Sequence, residues 1–205
     1  MNLEIQKPNW DHSDQTQAAP DASSDQPPES EPQRHSKTRF GFKTSDFVVY
    51  PAHGAGQILS IDEQTVAGAS LEFFVIYFAK SKMTLRAPTQ KAATVGMRKL
   101  SDPTTIKRVR LTLSQRPNKA KGIWSRLARD YESKINSGEI IALAEVVRDL
   151  YCPTHNFGQS FSERQLYASA IDRLSGEVAL IDGITEQEAD RELEGLVLAG
   201  AKRSA

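Results

Sequence analysis

A tryptophan surrounded by basic residues is the feature of this sequence that most specifically indicates a function. Trp124 lies in residues 119–135, KAKGIWSRLARDYESKI, and the basic residues around it are Lys119, Lys121, Arg126, Arg129 and Lys134. Cationic side chains neutralise phosphates, and a large aromatic ring stacks on bases or wedges between them. The pattern therefore indicates a surface that contacts nucleic acid.

The same stretch also fits an ordinary helix that packs against a core. From Ile123 the pattern is helical, and apolar residues recur at i, i+3, i+7 and i+11: Trp124, Leu127, Tyr131 and Ile135. Two details favour an exposed ring instead. Trp124 stands at the start of the helix, and helical side chains lean toward the N-terminus. Trp124 is thus either the first residue of a core stripe or a ring that projects past the helix end.

The charge of the chain is concentrated rather than large. Lysine and arginine balance aspartate and glutamate over the whole sequence. Residues 98–134, however, contain 11 basic and 3 acidic side chains, whereas residues 135–205 contain 6 and 12. A strongly positive segment within a neutral protein attracts polyanions.

Residues that could carry enzymatic or metal chemistry are poorly arranged. Cys152 and His155 are three positions apart, but no second Cys/His pair completes a zinc site. Gly54 and Gly56 lack the third glycine of a dinucleotide loop, because Leu59 stands there, so they indicate a turn. No GxxxxGK[ST] sequence is present. We therefore predict a binding protein without catalytic residues, cofactor or metal.

The sequence also indicates the cellular compartment in which we expect the protein. Cys152 is the one cysteine, so no internal disulfide forms, which fits a reducing cytosol. No apolar run approaches the roughly 20 residues that cross a bilayer. The N-terminus lacks a basic region followed by an apolar one, so we expect no secretory signal.

Residues 1–38 and 40–100 have different characters. The first stretch is rich in Asp, Ser, Gln and Pro and is predicted to be a disordered acidic tail. The second contains five short β-type runs separated by turns, of which Leu71 to Ala79 (LEFFVIYFA) is the strongest. We therefore expect a small, curled antiparallel β-barrel.

Residues 102–201 have helical periodicity. Asp102 and Pro103 provide a cap and a proline at the first helical position. Further helices are expected from 123 and over 139–151, and two follow the predicted capping boxes Ser162 to Gln165 and Thr185 to Glu188. The fold class is thus α+β, with a bundle of about five helices after the β-barrel.

Several separate blocks together resemble the CarD/CdnL family of bacterial transcription regulators. They are FKTSDFVVYPAHGAGQI (42–58), MTLRAP (83–88), VGMRKL (95–100), WSRLARDY (124–131) and AEVVRDLY (144–151). The resemblance covers about residues 40–200. It implies a Tudor-like β domain that binds the N-terminal part of the RNA polymerase β subunit, and a helical domain that contacts promoter DNA.

The resemblance also implies site residues. Arg86 matches the polymerase-contacting arginine of the family, with Thr84 and Pro88 beside it, although an arginine there could simply guard a sheet edge. Gln64 stands where another polymerase contact, often arginine, is expected. These matches place polymerase binding in the β domain.

The DNA-contacting positions follow in the helical domain. Trp124 matches the family's wedge tryptophan, Arg126 and Arg129 match its phosphate-facing positions, and Lys121 adds a nearby cation. Leu127 stands where a further basic residue is common, so we expect somewhat weaker DNA contact.

These observations lead to a functional hypothesis. A cytoplasmic, monomeric regulator, held at the nucleoid by RNA polymerase, stabilises the open promoter complex, notably at ribosomal RNA promoters. It does so by wedging Trp124 into the minor groove at the upstream edge of the bubble, without sequence specificity. The alternative is a Tudor-like peptide-binding adaptor whose helical bundle docks another protein through Trp124.

Overall fold

Strands come first along the chain and helices follow. The computed structural model describes residues 38–66, 68–118, 122–152 and 159–203. The predicted tail lies outside these ranges except for Thr38, which already belongs to a strand, and so do Lys119, Lys121 and His155.

The strands of the described ranges form a short hairpin and a larger sheet. The hairpin pairs β1 (Thr38–Arg39) with β2 (Phe42–Lys43). The sheet has five strands in the order β6-β5-β4-β3-β7, with every pairing antiparallel. Its strands are β3 (Phe47–Tyr50), β4 (Gly54–Val66), β5 (Ala69–Phe78), β6 (Met83–Pro88) and β7 (Arg98–Lys99). The predicted antiparallel, Tudor-like β architecture is confirmed.

The core of the sheet is formed largely by β5, whose apolar residues give the strongest strand pattern in the sequence. Phe74, Ile76 and Phe78 of β5 are buried together with Val48 and Ile58. Alternate residues of a strand share a face, so the three β5 side chains point into one layer. The pairing of β4 with β5 shifts between Ile58 and Ser60, a bulge that bends the strand.

Gly54 and Gly56 serve the sheet rather than a ligand. Gly54 begins β4 with φ +80°, a left-handed conformation that favours glycine. A Cβ at Gly56 would lie 2.8 Å from the Phe78 ring. As predicted, the chain continues from these glycines as a strand and not as a helix, and both lie at the start of that strand, where they allow a turn and close packing.

Five α-helices occupy the described part of the chain after residue 102. They are α1 (Pro103–Leu113), α2 (Trp124–Asn136), α3 (Ile140–Leu150), α4 (Phe161–Asp182) and α5 (Glu186–Lys202). Both α1 and α2 pack on α3, and α3 and α5 pack on α4. The predicted number of helices is confirmed, and α1 begins at the predicted proline, Pro103.

The helix caps show one error in the prediction. Ser160 and Glu163 form the capping box of α4, two residues before the predicted pair Ser162 and Gln165. Both pairs satisfy the same spacing rule, and the chain uses the earlier one, which leaves the Ser162 hydroxyl free for another contact. The capping box of Thr185 and Glu188 is confirmed.

The start of α1 is capped by a carboxylate. Asp102 accepts hydrogen bonds from the backbone and the hydroxyl of Thr105, and these bonds lower the pKa of its carboxyl group. The cap therefore stays ionised, and favourable to the helix dipole, down to a lower pH than a free aspartate.

The apolar faces of the helices meet in one core. Leu113, Leu174 and Leu193 come from three different helices and are fully buried. Each such side chain contributes about 1.5–3 kcal/mol by leaving water. The sheet and the bundle belong to a single compact unit, Ser36–Ala205. Within it, the division into domains 40–100 and 102–201 stays a prediction.

Close packing of α5 on the end of α1 can be tested at two glycines. A Cβ at Gly200 would lie 2.6 Å from the carbonyl oxygen of Gln115, whereas no atom lies within 4 Å of a Cβ at Gly195. We expect Gly200→Ala to lower the free energy of unfolding by about 1–3 kcal/mol through overpacking. Gly195→Ala, the matched control, should raise it by about 0.5–1 kcal/mol. Urea unfolding measures both, and equal shifts would contradict the close approach.

Candidate functional site

Trp124 is held at the first position of α2 in an intermediate state of burial. Its indole Nε1 donates a hydrogen bond to the Ser162 hydroxyl at 2.8 Å. Its ring centroid lies 6.5 Å from that of Tyr131, and it packs against the edge of the bundle core. The ring is half-buried, so it is neither enclosed in the core nor free of it.

Burial of the apolar stripe predicted along α2 increases from its N-terminal to its C-terminal end. Tyr131 and Ile135 are buried at its C-terminal end, whereas Trp124 and Leu127 are half-buried at its N-terminal end. Burial raises the pKa of the Tyr131 hydroxyl. Trp124 thus packs partly against the core and partly reaches solvent, and whether it acts as a wedge stays a prediction.

Two exposed apolar side chains border the tryptophan. Ile123, which precedes Trp124, is 78% exposed, and Phe161, which precedes Ser162, is 69% exposed. Exposed aromatic and branched side chains in one place mark an interaction surface. Sequence reasoning missed Phe161, because only the pairing of the α2 and α4 N-termini brings it to this site.

Two of the predicted cations are available at the surface. Arg126 and Arg129 are exposed on α2, and neither forms a salt bridge with a carboxylate of the described residues. Arg129 Nε donates instead to the backbone carbonyl of Ser125 at 3.3 Å. Lys134 differs, since its Nζ lies 2.6 Å from Glu145 and its charge is compensated. Lys121 lies outside the described residues.

The N-terminus of α2 adds positive potential beside the ring. Ile123 stands at the N-cap, and no side chain of the residues that the structure describes caps the first backbone N–H groups. Uncapped N–H groups and the helix dipole favour anions. The exposed arginines and this helix end therefore act in the same electrostatic direction.

The second group of predicted residues lies on an edge of the sheet. Strand β6 pairs with β5 and is the last strand in the order of the sheet. Thr84, Arg86 and Pro88 alternate along it and therefore project to one face. The outer backbone of such a strand is a template for another strand.

Arg86 is loosely held on this edge. Its side chain is 53% exposed, and its Nη2 lies 3.8 Å from an Asp62 carboxylate oxygen. A pair at that distance and exposure contributes little to stability. Gln64 is also exposed, in the hairpin of β4 and β5, where it faces Leu71 across the ladder.

Potential metal and membrane features can be stated for the described ranges. Among these residues, no three His, Cys, Asp or Glu side chains come close enough together to hold a metal ion. No helix in the described part of the chain has the length and apolar character needed to cross a membrane.

Comparison with known proteins gives matches in both regions. Residues 42–101 match the family described as CarD-like/TRCF RID domain, and residues 108–194 match the family described as CarD, C-terminal domain. A curated relative, "Putative transcription factor YdeB" of Bacillus subtilis (strain 168), is 31% identical over 147 residues. That alignment covers 72% of this chain and 96% of the relative.

The partial burial of Trp124 predicts a modest contribution to stability. We expect Trp124→Ala to lower the free energy of unfolding by about 1–2 kcal/mol, since only part of the ring leaves water. Leu174→Ala, a matched truncation in the core, should cost about 2–5 kcal/mol. Urea unfolding compares the two, and an equal or greater loss for Trp124→Ala would show that the indole is a core residue.

Proposed function

The chain belongs to the CarD/CdnL family of transcription regulators, and on that basis we propose that it binds RNA polymerase through β6 and stabilises open promoter DNA with Trp124. The observation that carries the proposal is the state of Trp124, a ring fixed by Ser162 yet partly open to solvent, on a helix that also exposes Arg126 and Arg129. No catalytic residue is required for this activity.

The proposed tether, meaning the surface that attaches the protein to RNA polymerase, is β6 at the exposed edge of the sheet. Strand addition to β6 would satisfy backbone groups on its outer side, and Arg86 would add a charged contact to the N-terminal part of the polymerase β subunit. Its long, exposed pairing with Asp62 costs little to exchange for a partner carboxylate. Thr84 and Pro88 flank Arg86 on the same face and supply shape around it.

The DNA contact combines a ring with cations. Trp124 would enter the minor groove where the duplex meets the melted region, while Arg126, Arg129 and Lys121 neutralise phosphates. The hydrogen bond to Ser162 fixes the indole before binding, so less side-chain entropy is lost in the complex. Backbone and stacking contacts of this kind carry no sequence specificity.

The free energies expected for these contacts are large enough to shift the balance between open and closed promoter DNA. Unstacking a base step costs a few kcal/mol in intact DNA, and the cost is smaller at a fork that is already distorted. Only the difference between open and closed DNA shifts the equilibrium. Stacking of an aromatic ring on a base contributes about 1–3 kcal/mol, and about 1.4 kcal/mol changes the open/closed ratio tenfold.

Tethering compensates for weak individual contacts. Once β6 is bound, the basic helix meets DNA at a high effective concentration, so low intrinsic DNA affinity is enough. This matters here, because Leu127 and Gln64 replace residues that would otherwise add contacts. We further propose that the protein acts as a monomer in the cytoplasm, at the nucleoid, and on promoters that include those of ribosomal RNA.

Exposed apolar side chains near Trp124 also favour a second function, binding of a protein partner. Exposed Ile123 and Phe161 beside a half-buried tryptophan also fit a protein partner, since aromatic anchors are enriched at protein interfaces. The chain would then be a Tudor-like adaptor without DNA contact. Affinity capture separates the two functions: polymerase in the eluate supports the regulator, and a different partner without polymerase supports the adaptor.

Replacement of the ring should uncouple binding from regulation. We expect Trp124→Ala to retain polymerase capture while shortening the half-life of the open complex by roughly threefold to tenfold, since loss of one stacking contact removes about 1 kcal/mol. Competitor-challenge kinetics on a ribosomal RNA promoter measure the half-life. Trp124→Phe keeps a smaller ring and should fall between wild type and alanine. An unchanged half-life with the folded alanine variant would refute the wedge.

Charge reversal on β6 should remove the tether. We expect Arg86→Glu to lower capture of the polymerase β subunit by roughly tenfold or more, because the substitution replaces a pairing charge with a repelling one. Arg191→Glu, the same reversal at an exposed position of α5, is the control. Affinity of the free protein for duplex DNA should be equal in both and should fall steeply with salt. Normal capture with Arg86→Glu would rule out this contact.

A further inference from the structure

Helix α4 contacts both the tryptophan and the sheet whose edge is the proposed polymerase-binding strand. Ser162 near its start holds the indole of Trp124. Arg173 and Glu177, one turn apart in its middle, hold the sheet. Ser162 and Glu177 are about 22 Å apart along the helix at about 1.5 Å per residue. One helix thus links the sheet that carries β6 to Trp124.

Glu177 is the centre of the connection to the sheet. Its side chain is 1% exposed, and both of its carboxylate oxygens accept from the guanidinium of Arg98, at 2.7 and 2.8 Å. One oxygen also accepts from the backbone N–H and the hydroxyl of Ser101. Arg98 Nε donates to the carbonyl of Gly138 at 2.7 Å, in the turn between α2 and α3. The buried charge therefore joins β7, the chain after it, α4 and the α2–α3 turn.

Arg173 makes a second connection without using a carboxylate. Its guanidinium donates to the carbonyls of Pro51 and Ala52, in the turn between β3 and β4, at 2.6 and 3.2 Å. It also donates to the carbonyl of Ile135 and the side chain of Asn136, at the end of α2. Each donor group has a direction, so these bonds define an orientation and not merely a contact.

Close packing completes the junction. A Cβ at Gly138 would lie 3.1 Å from the Pro51 ring, and one at Gly96 would lie 3.4 Å from it. Both glycines have left-handed backbone, with φ +78°. Three turns therefore meet around one proline with little free space.

We propose that Arg98, Arg173 and Glu177 are positioning residues that set the angle between the polymerase-binding edge and the tryptophan, with α4 as the strut between them. This inference rests on the proposed function. None of the three residues touches polymerase or DNA; they act through α2, β7 and the turn at Pro51.

The geometry makes the position of Trp124 sensitive to this junction. The C-terminal end of α2 is anchored at Ile135 and Asn136, and Trp124 stands at the opposite end, about 18 Å away. A tilt of about 10° at the anchored end displaces the indole by about 3 Å. A base step is about as thick as that displacement, so a wedge requires a fixed angle.

The test removes both charges of the buried pair together, so that neither is left unpaired. The double variant Arg98→Gln/Glu177→Gln keeps the side-chain lengths and some hydrogen bonding. The control is Arg110→Gln/Asp182→Asn/Glu192→Gln, which removes both 2.6 Å ion pairs of Arg110, to Asp182 of α4 and to Glu192 of α5, so that again no partner charge is left unpaired. Thermal unfolding confirms that both are folded. Arg173→Met, which leaves the ion pair intact, tests the same inference at the second connection.

We expect polymerase capture and free DNA affinity to match wild type in all variants. The open-complex half-life should fall roughly threefold to tenfold in the double variant and in Arg173→Met, because a wider range of angles lowers the effective concentration of the wedge at the fork. The control should keep the wild-type half-life. If lost stability alone shortened the half-life, the half-lives of all variants, the control included, would follow their unfolding temperatures.

Distances in the free protein give a readout independent of transcription. Nitroxide labels at exposed Ser81, before β6, and exposed Ser125 on α2, in a Cys152→Ser background, report the separation of tether and wedge. Pulsed electron resonance should give one narrow distribution for wild type and control, and a broader one for the double variant.

A cross-link provides the rescue. A Cβ at Gly138 would lie 3.6 Å from that of Pro51, a separation that suits a disulfide. Pro51→Cys/Gly138→Cys, added to the double variant with Cys152→Ser, should restore the half-life when oxidised and lose it when reduced. The same substitutions are present in both states, so strain from them cancels in the comparison.

The outcomes separate the inference from the function. A double variant with the wild-type half-life, an unchanged distance distribution, or no difference between oxidised and reduced cross-link would overturn the positioning role while the proposed function stands. A wild-type protein that fails to lengthen the half-life would overturn the proposed function, and the inference with it.

Discussion

The structure depends on one buried carboxylate. Glu177 is almost without solvent contact, and an anion in that setting requires full compensation, which Arg98 and Ser101 provide. Because Arg98 belongs to the last strand and Glu177 to the longest helix, the compensation joins the two halves of the fold. An apolar contact of equal area would hold the same surfaces together but would tolerate sliding. Directional bonds from a planar guanidinium define one arrangement.

Trp124 combines two physical requirements that ordinarily conflict. A ring that contacts another molecule must reach solvent, and a ring that acts as a wedge must not rotate freely. The structure meets both by packing one part of the indole near Tyr131 and by bonding its N–H to Ser162. The displaced capping box makes the second contact possible, since Ser160 and not Ser162 caps α4.

The two proposed interaction surfaces rely on different forces. The β6 edge offers backbone groups and one arginine, which favour an extended protein segment. The α2 surface offers an aromatic ring, two exposed arginines and a helix end that no described side chain caps, which favour a polyanion. Neither surface is extensive alone. Their combination in one compact unit allows each weak contact to raise the effective concentration of the other.

Local pattern in the sequence was enough to determine the elements: the aromatic run of β5, the α2 stripe and the capping box at Thr185 are encoded within a few residues. The cations around Trp124 singled it out as a site residue, and the family resemblance supplied Arg86. The tertiary structure alone decided the capping choice at Ser160, the bond from Trp124 to Ser162 and the pair of Arg98 with Glu177. The last two join residues 38 and 79 positions apart. Polar side chains on a helix look solvated in sequence, because only packing reveals which of them lose water and must find partners.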